Sequence, residues 1–286
     1  MTKMTEKNSA YNAFAKRVLN KYQAYTWSPL LKKETIKFCK EILSFLFPHF
    51  SDKEFHTMED IHSQLELLKV KIISLIALLG DENPGNGREI AAKFIAQLPK
   101  IYNKLWKDAR GICQGDPAAS NMNEIIISYP GFLAIAIYRF AHEFHELKLP
   151  IIPRIMTEYA HGKTGIDINP GAVIGSPFII DHGTGIVIGE SCIIGKNVKL
   201  YQGVTLGALS VKKSLARTKR HPTIEDNVVI YSDAVILGGK TVIGMNSIIG
   251  GNTWVTNSIP PNSVVFVKNE TGIRGNISIE NNNNGN

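Results

Sequence analysis

The sequence predicts an α+β chain: an N-terminal all-helical domain followed by a parallel β-helix with one extruded loop. Three observations carry the prediction. Apolar residues recur at helical spacing through roughly the first 150 residues. From Ile166 to Val255 an apolar side chain returns every sixth residue, and that count breaks once for a long polar excursion. The expected boundaries are a helical domain over 1–150, a β-helix over 151–270 and a low-complexity, disordered tail over 271–286.

Residues 1–10 are polar and read as frayed. Phe14, Val18 and Tyr22 then mark a helix from Tyr11 to about Tyr25, stopped by Ser28-Pro29. Leu30–Phe47 is a second helix, with Ile36, Cys39 and Leu43 on one side, ended by Pro48. A third starts near Ser51, where Ser51-Asp52-Lys53-Glu54 resembles a capping box, and runs to Leu79. Arg88–Ile112 is a further helix bent at Pro99, and Phe132–Leu147 is the last, amphipathic through Ile135, Tyr138 and His142. Pro150 and Pro153 mark the hinge.

The period-six series opens with Ile168, Ile174 and Ile180. After an eight-residue step come Ile188, Ile194, Leu200 and Leu206; past the excursion come Ile224, Ile230, Ile236, Ile243, Ile249 and Val255. Two places earlier sits a second, mostly small residue, such as Ala172, Cys192, Val198, Val204, Val228, Ala234, Ser247 or Thr253. Neither a 3.6-residue helix nor a two-residue strand period produces this. Hexapeptide repeats do, each forming one short side of a three-sided coil, with coils stacked about 4.8 Å apart. Val264–Val267 reads as a closing strand.

The 286 residues carry 32 Lys and Arg against 25 Asp and Glu, a net charge of +7 that favours anionic ligands. No helix-turn-helix, zinc-finger or RNA-binding pattern is present, so a phosphorylated small molecule fits better than nucleic acid. Cys39, Cys113 and Cys192 form no close pair, which argues against a disulfide framework or zinc site, and Cys192 reads as core filler. The opening MTKMTEKNSAYNAF holds no apolar signal-peptide core, and Val70–Leu79 contains Lys71 and is about half a membrane span in length. A cytoplasmic chain without a membrane partner is expected.

Chemistry is expected at the breaks in the repeat. His182 lies in Asp181-His182-Gly183-Thr184-Gly185, where the register slips by two, and a slip of that kind turns the imidazole outward. Asp167, fifteen residues earlier, is placed to take its Nδ1 proton and raise the basicity of Nε2. The excursion Ala208–Lys219 carries Lys212, Lys213, Arg217 and Lys219 and delivers Arg220-His221 where the chain re-enters the coil. His142 and His145 stand three apart with no further ligand pattern, and His161 has no evident partner.

Taken in order, these motifs resemble the serine O-acetyltransferase family. They are Asp116-Pro117-Ala118, Gly131-Phe132, Tyr138-Arg139, Asp167-Ile-Asn-Pro-Gly, Ile180-Asp-His-Gly-Thr-Gly-Ile-Val-Ile-Gly-Glu, Gln202-Gly-Val-Thr-Leu-Gly and Arg220-His-Pro-Thr-Ile. The similarity is close over 115–260; residues 1–114 match only as a helical domain in the right place. It implies a left-handed parallel β-helix and transfer of acetyl from acetyl-CoA to the L-serine hydroxyl, for cysteine biosynthesis. It also implies His182 as general base, Asp167 as its orienting partner, and Asp116 and Asp181 on the serine ammonium. Arg220 would hold the carboxylate with His221 beside it; Gly207, Ala208, Ser232 and Gly251 would let coenzyme A approach the backbone. No metal is implied. Homotrimers or dimers of trimers, with L-cysteine as feedback inhibitor, complete the expectation.

There are departures. The loop before Arg220 is four residues longer and more basic than in enteric-type enzymes and lacks their Gly-Thr-Gly-Lys-Ser segment. Phe266-Val-Lys-Asn-Glu replaces the common Gly-x-Pro-Ala turn. The chain ends at Asn286 where many members end in isoleucine, so no stable complex with O-acetylserine sulfhydrylase is expected. The alternatives are a hexapeptide acetyltransferase with a sugar or antibiotic acceptor, a γ-type carbonic anhydrase, which needs three zinc-binding histidines, and a structural scaffold, which would not require Asp167 and His182 as a pair.

Overall fold

The computed structural model describes residues 2–210 and 218–268, with side chains from residue 10 onward. Lys212, Lys213 and Arg217 of the basic excursion, and the tail expected over 271–286, lie outside the described residues. The described helices are α1 (Thr2–Gln23), α2 (Leu31–Leu46), α3 (Met58–Ala77), α4 (Gly87–Gly115), α5 (Met122–Ser128), α6 (Pro130–Glu146) and α7 (Ile152–Thr164).

Several elements differ from the expectation, each for a local reason. α1 begins at Thr2 rather than Tyr11, and its apolar series Tyr11, Phe14, Val18 and Tyr22 stays exposed. The cap of α3 is Thr57, not Ser51: the Thr57 hydroxyl accepts from the Asp60 N–H while the Asp60 carboxylate accepts from the Thr57 N–H. The Ser51 hydroxyl instead closes a tight turn with the Lys53 N–H. α6 is apolar on nearly every side, burying Ile137, Phe140 and Ala141 as well as Ile135 and Tyr138, because it is the central helix of the packed layer. α7 occupies the segment read as a hinge. Pro153 lies in its first turn, where a fixed φ and a missing N–H suit a helix start. Helices therefore continue to Thr164, and the first strand starts at Asp167.

The strands form three parallel faces. The first stacks β1 (Asp167–Ile168), β4 (Val187–Ile188), β7 (Thr205–Gly207), β10 (Val235–Leu237) and β13 (Trp254–Val255). The second stacks β2 (Val173–Ile174), β5 (Ile193–Ile194), β8 (Thr223–Ile224) and β11 (Val242–Ile243). The third stacks β3 (Phe178–Asp181), β6 (Val198–Tyr201), β9 (Val229–Ile230), β12 (Ile248–Ile249) and β14 (Val264–Val265). Together they wind as a left-handed β-helix. Every period-six residue from Ile168 to Val255 is buried, none above 6% exposed, and the small companions are buried with them. Cys192 is fully buried among them, its thiol pushed up to about 12 by desolvation.

Register records the irregularities. Val187 pairs with Thr205 eighteen residues on, but Asp167 pairs with Val187 twenty on and Thr205 with Val235 thirty on. The two-residue slip and the excursion are thus absorbed at corners while the strands keep stacking. At the corner between the second and third faces, Asn197, Asn227, Asn246 and Asn262 adopt φ of 56°, 61°, 59° and 58°, a left-handed conformation that asparagine tolerates. Their amides form a ladder with each step 3.0 Å.

One buried ion pair welds the helices to the first coil. Arg139 of α6 donates to Asp108 of α4 through Nε at 2.5 Å and Nη2 at 2.8 Å, and Nη2 also reaches the Gly175 carbonyl at 2.8 Å. Asp108 accepts from Ser176 Oγ at 3.0 Å and the Phe178 N–H at 2.9 Å. Gly111 and Gly131 permit the contact: a Cβ on Gly111 would lie 2.9 Å from the Pro177 side chain, and one on Gly131 would lie 2.8 Å from the Ile180 carbonyl. Asp108→Ala would leave a guanidinium buried without its counter-ion, and should cost about 3–5 kcal/mol in urea unfolding. A loss under ~1 kcal/mol would show that the pair is not what holds the two layers together.

Candidate active site

The first cluster sits at the edge between the third and first faces. His182 follows β3 in a left-handed conformation, φ 58°, which turns its side chain outward so that 75% of it is exposed. Its Nε2 lies 3.7 Å from Asp181 Oδ1. The other Asp181 oxygen is held by Lys199 Nζ at 2.8 Å, and the same ammonium donates to the Gly115 carbonyl at 2.7 Å and lies 4.5 Å from the Tyr201 ring centroid. Burial works against the charge on Lys199, yet its bonds to Asp181 and Tyr201 carry its pKa above the ordinary lysine value.

Asp116, at the end of α4, accepts from the Tyr129 hydroxyl at 2.7 Å and the Ala118 N–H at 2.8 Å. The Tyr129 hydrogen bond, then that of Ala118, with smaller help from the Lys199 and His182 charges, hold its carboxyl below the usual range. Tyr129 is pushed up to about 12 by the same bond. Ser232 and Gly251 belong to this edge too: a Cβ on Gly251 would lie 3.0 Å from the Ser232 carbonyl oxygen.

The second cluster lies one face away, between the first and second faces. Ser191 organises it. Its hydroxyl oxygen accepts from the N–H groups of Arg220 at 2.9 Å and His221 at 3.1 Å and lies 2.9 Å from His221 Nδ1. The Ser191 N–H also donates to Nδ1 at 3.1 Å. A backbone donor fixes Nδ1 as an acceptor, so neutral His221 carries its proton on Nε2. Burial, reinforced by the Arg220 charge, lowers its pKa to about 4. Glu190 pairs with the Arg220 guanidinium, and Lys219 Nζ donates to the Ser191 carbonyl at 3.1 Å and the His221 carbonyl at 2.6 Å. Gly207 and Ala208 leave the first face at this edge, at the entrance to the excursion.

The structure thus brings Asp116, Asp181 and His182 together, and Arg220 with His221, but no hydrogen bond or ion pair joins Asp167 to His182. The first coil spans twenty residues, so Asp167 pairs with Val187, beyond the turn that aims His182 outward. Its carboxylate instead lies 3.8 Å from Arg154 Nη1. Its ligand atoms also fall within 4.8 Å of those of Glu158 and His161, the neighbour that His161 lacks in the sequence. Arg154, paired to Glu158 as well, supplies the positive charge there. Lys199, Tyr129, Glu190 and Ser191 escape sequence reasoning. Each is an ordinary residue of its repeat or helix junction, given its partner only by the fold, Tyr129 by the packing of α4 against α6 and the others by the stacking of coils.

Fold and site together define a hexapeptide-repeat protein of the left-handed β-helix class. A scan against protein-family models finds no match. The serine acetyltransferase (plasmid) of Synechococcus elongatus is 48% identical over 182 residues, covering 62% of this chain and 57% of that protein. The serine acetyltransferase of Bacillus pumilus is 40% identical over 181 residues, 63% of this chain and 79% of that one. The crystal structure of serine acetyltransferase isoform 3 from Entamoeba histolytica, in complex with cysteine, superposes with a TM-score of 0.73 at 36% identity, covering 84% of each chain. The chain belongs to the serine acetyltransferase family. It spans just over half the length of the cyanobacterial relatives, 57%, 54% and 55%.

Burial of His221 ties stability to pH. A base whose pKa is lower folded than unfolded stabilises less as it is forced to protonate. The stability lost should therefore accumulate as pH falls from about 6.5, the unfolded value, to about 4. The thermal midpoint of the native chain should fall more over that window than that of His221→Gln. Equal falls would refute the assignment.

Proposed function

We propose that this chain is a serine O-acetyltransferase, transferring acetyl from acetyl-CoA to the L-serine hydroxyl to give O-acetylserine for cysteine biosynthesis. The observation that carries this reading is the pair of carboxylates, Asp116 and Asp181, gathered beside an outward imidazole, with an arginine and a neutral histidine on another edge. A zwitterionic amino acid bearing a hydroxyl needs those groups; a sugar acceptor needs neither the carboxylates nor the arginine.

In the proposed reaction His182 takes the hydroxyl proton as the serine oxygen attacks the thioester carbon. Backbone N–H groups receive the oxyanion. Collapse breaks the carbon–sulfur bond, and the imidazolium returns its proton to the departing thiolate, leaving coenzyme A thiol and O-acetylserine. Asp116 and Asp181 hold the ammonium by charge-assisted hydrogen bonds, Arg220 holds the carboxylate, and His221 donates from Nε2 beside it. Asp167 keeps the orienting role as part of this proposal, which requires its carboxylate to leave Arg154. Gly207, Ala208, Ser232 and Gly251 line the coenzyme A path, with Lys219 toward its phosphates.

The arrangement of the clusters supports a homotrimer, alone or paired into a dimer of trimers. Each edge of one chain holds part of the acceptor set and part of the coenzyme A set, and a whole strand face separates them. A neighbouring copy would bring one edge against the other. The cysteine bound to the Entamoeba histolytica isoform supports L-cysteine as a feedback inhibitor here, since it differs from serine only in the reacting atom. A cytoplasmic location belongs to the same proposal. No single helix among the described residues is long and apolar enough to cross a membrane.

Thiol release from acetyl-CoA should depend on serine and not on sugars or aminoglycosides. His182→Ala should lower kcat by about 10²–10⁴-fold, and an unchanged rate in a folded variant would remove the imidazole from the mechanism. Asp167→Asn should cost less than His182→Ala, because Asp181 remains near the ring.

A further inference from the structure

We propose that Lys199 is a positioning residue for the acceptor amine, setting the spacing of Asp181 and Asp116 and holding Asp181 away from the His182 ring. The inference rests on the serine acetyltransferase reading above and adds a residue to which the resemblance gives no role.

Lys199 pairs with Ile179 and Tyr201 with Asp181 in the parallel register of β3 and β6, so Lys199 and Asp181 are diagonal neighbours on the outer surface of the third face. Only 13% of the lysine side chain and 14% of the aspartate are exposed. The ammonium donates to Asp181 Oδ2 at 2.8 Å and to the Gly115 carbonyl at 2.7 Å. Gly115 immediately precedes Asp116. One side chain therefore spans from the carboxylate on β3 to the peptide that carries the other carboxylate, and fixes the gap between them.

Charge explains why a cation belongs there. Two carboxylates facing one small ligand repel each other when the ligand is gone. Lys199 offsets one of the two charges and leaves the pair with a net charge of about −1, matched to a single ammonium. It also occupies Asp181 Oδ2, so that Oδ1, 3.7 Å from His182 Nε2, is the oxygen facing the imidazole. Without Lys199, Asp181 could close on an imidazolium and favour the protonated ring, which cannot accept the hydroxyl proton. The other titratable groups around this pair are Asp116, Tyr129 and Tyr201, and none of them is a cation.

The test compares the full-length chain with Lys199→Met and Lys199→Arg, varying serine and acetyl-CoA separately across pH. Loss of a charge-assisted clamp should raise the KM for serine by about 10-fold or more. The KM for acetyl-CoA should hold, and the acid limb of the kcat profile should move to higher pH in Lys199→Met. Lys199→Arg should recover most of the serine KM, since a guanidinium can bridge the same two oxygens. An unchanged serine KM and pH profile in Lys199→Met would overturn the proposal. So would a parallel rise in both KM values with a lowered melting temperature that arginine does not correct, which would mark Lys199 as a structural strut alone. The unsubstituted chain tests the reading beneath it: if it releases thiol without any dependence on serine, the acceptor assignment fails first, whatever the variants do.

Discussion

The Asp108–Arg139 pair is the constraint on which the rest of the molecule depends. The hexapeptide coils could stack without it, since their inward residues bury one another. What they could not do unaided is receive a carboxylate from the helical layer at the right place. Asp108 accepts from the Phe178 N–H at the start of β3, and Asp116 lies about two helical turns further along α4. β3 ends in Asp181 and opens the turn of His182. The same strand is thus pinned to the helix at one end and shares a charged cluster with it at the other. Gly131, against the Ile180 carbonyl, shows how little space the joint allows.

Regular and irregular parts of the coil divide the work. Stacking wants eighteen residues and an inward apolar residue every sixth. Asparagine amides satisfy one another up one edge, adding order with no chemistry. At the other two edges the repeat is interrupted, and there charged side chains pair across coils, Lys199 with Asp181 and Arg220 with Glu190. The two-residue slip falls at the left-handed turn of His182, and the strands on both sides keep their register. Ser191, Glu190 and Lys219 serve the same end where the excursion returns, since a re-entering chain has no ladder partner to orient Arg220 and His221 until side chains supply one.

How much of this is legible in the sequence follows from range. The six-residue period is local, so the burial of the series from Ile168 to Val255, the slip at His182 and the limits of the excursion are all readable from it. The helix at Ile152–Thr164 is hidden because Pro150 and Pro153 read as a hinge, although proline in a first turn is a start signal. Spacing along the chain says nothing of where a turn aims a side chain, so it does not foresee that Asp167 lies beside Arg154 and that Asp181 is the carboxylate nearest His182. Lys199 is invisible for a plainer reason. An outward lysine on a repeat looks solvated until β6 is laid beside β3 and the end of α4 is brought over it.

Electrostatics gives the two edges opposite characters, and this bears on how a zwitterion would be held. At His182 the acidic groups outnumber the cation that tempers them, leaving room for one positive charge. At His221 the imidazole is kept neutral by burial and by Arg220, so the edge gains a donor without adding to the charges of Arg220 and Lys219. An amino acid presents its ammonium and carboxylate only a few ångströms apart, whereas the two edges of a single chain are separated by a whole face of the coil. In the proposed enzyme a complete acceptor site would therefore be shared between two copies of the chain. In the proposed trimer, distributing the halves over two edges would make assembly a condition of activity, because a neighbouring copy would carry the arginine to the aspartates.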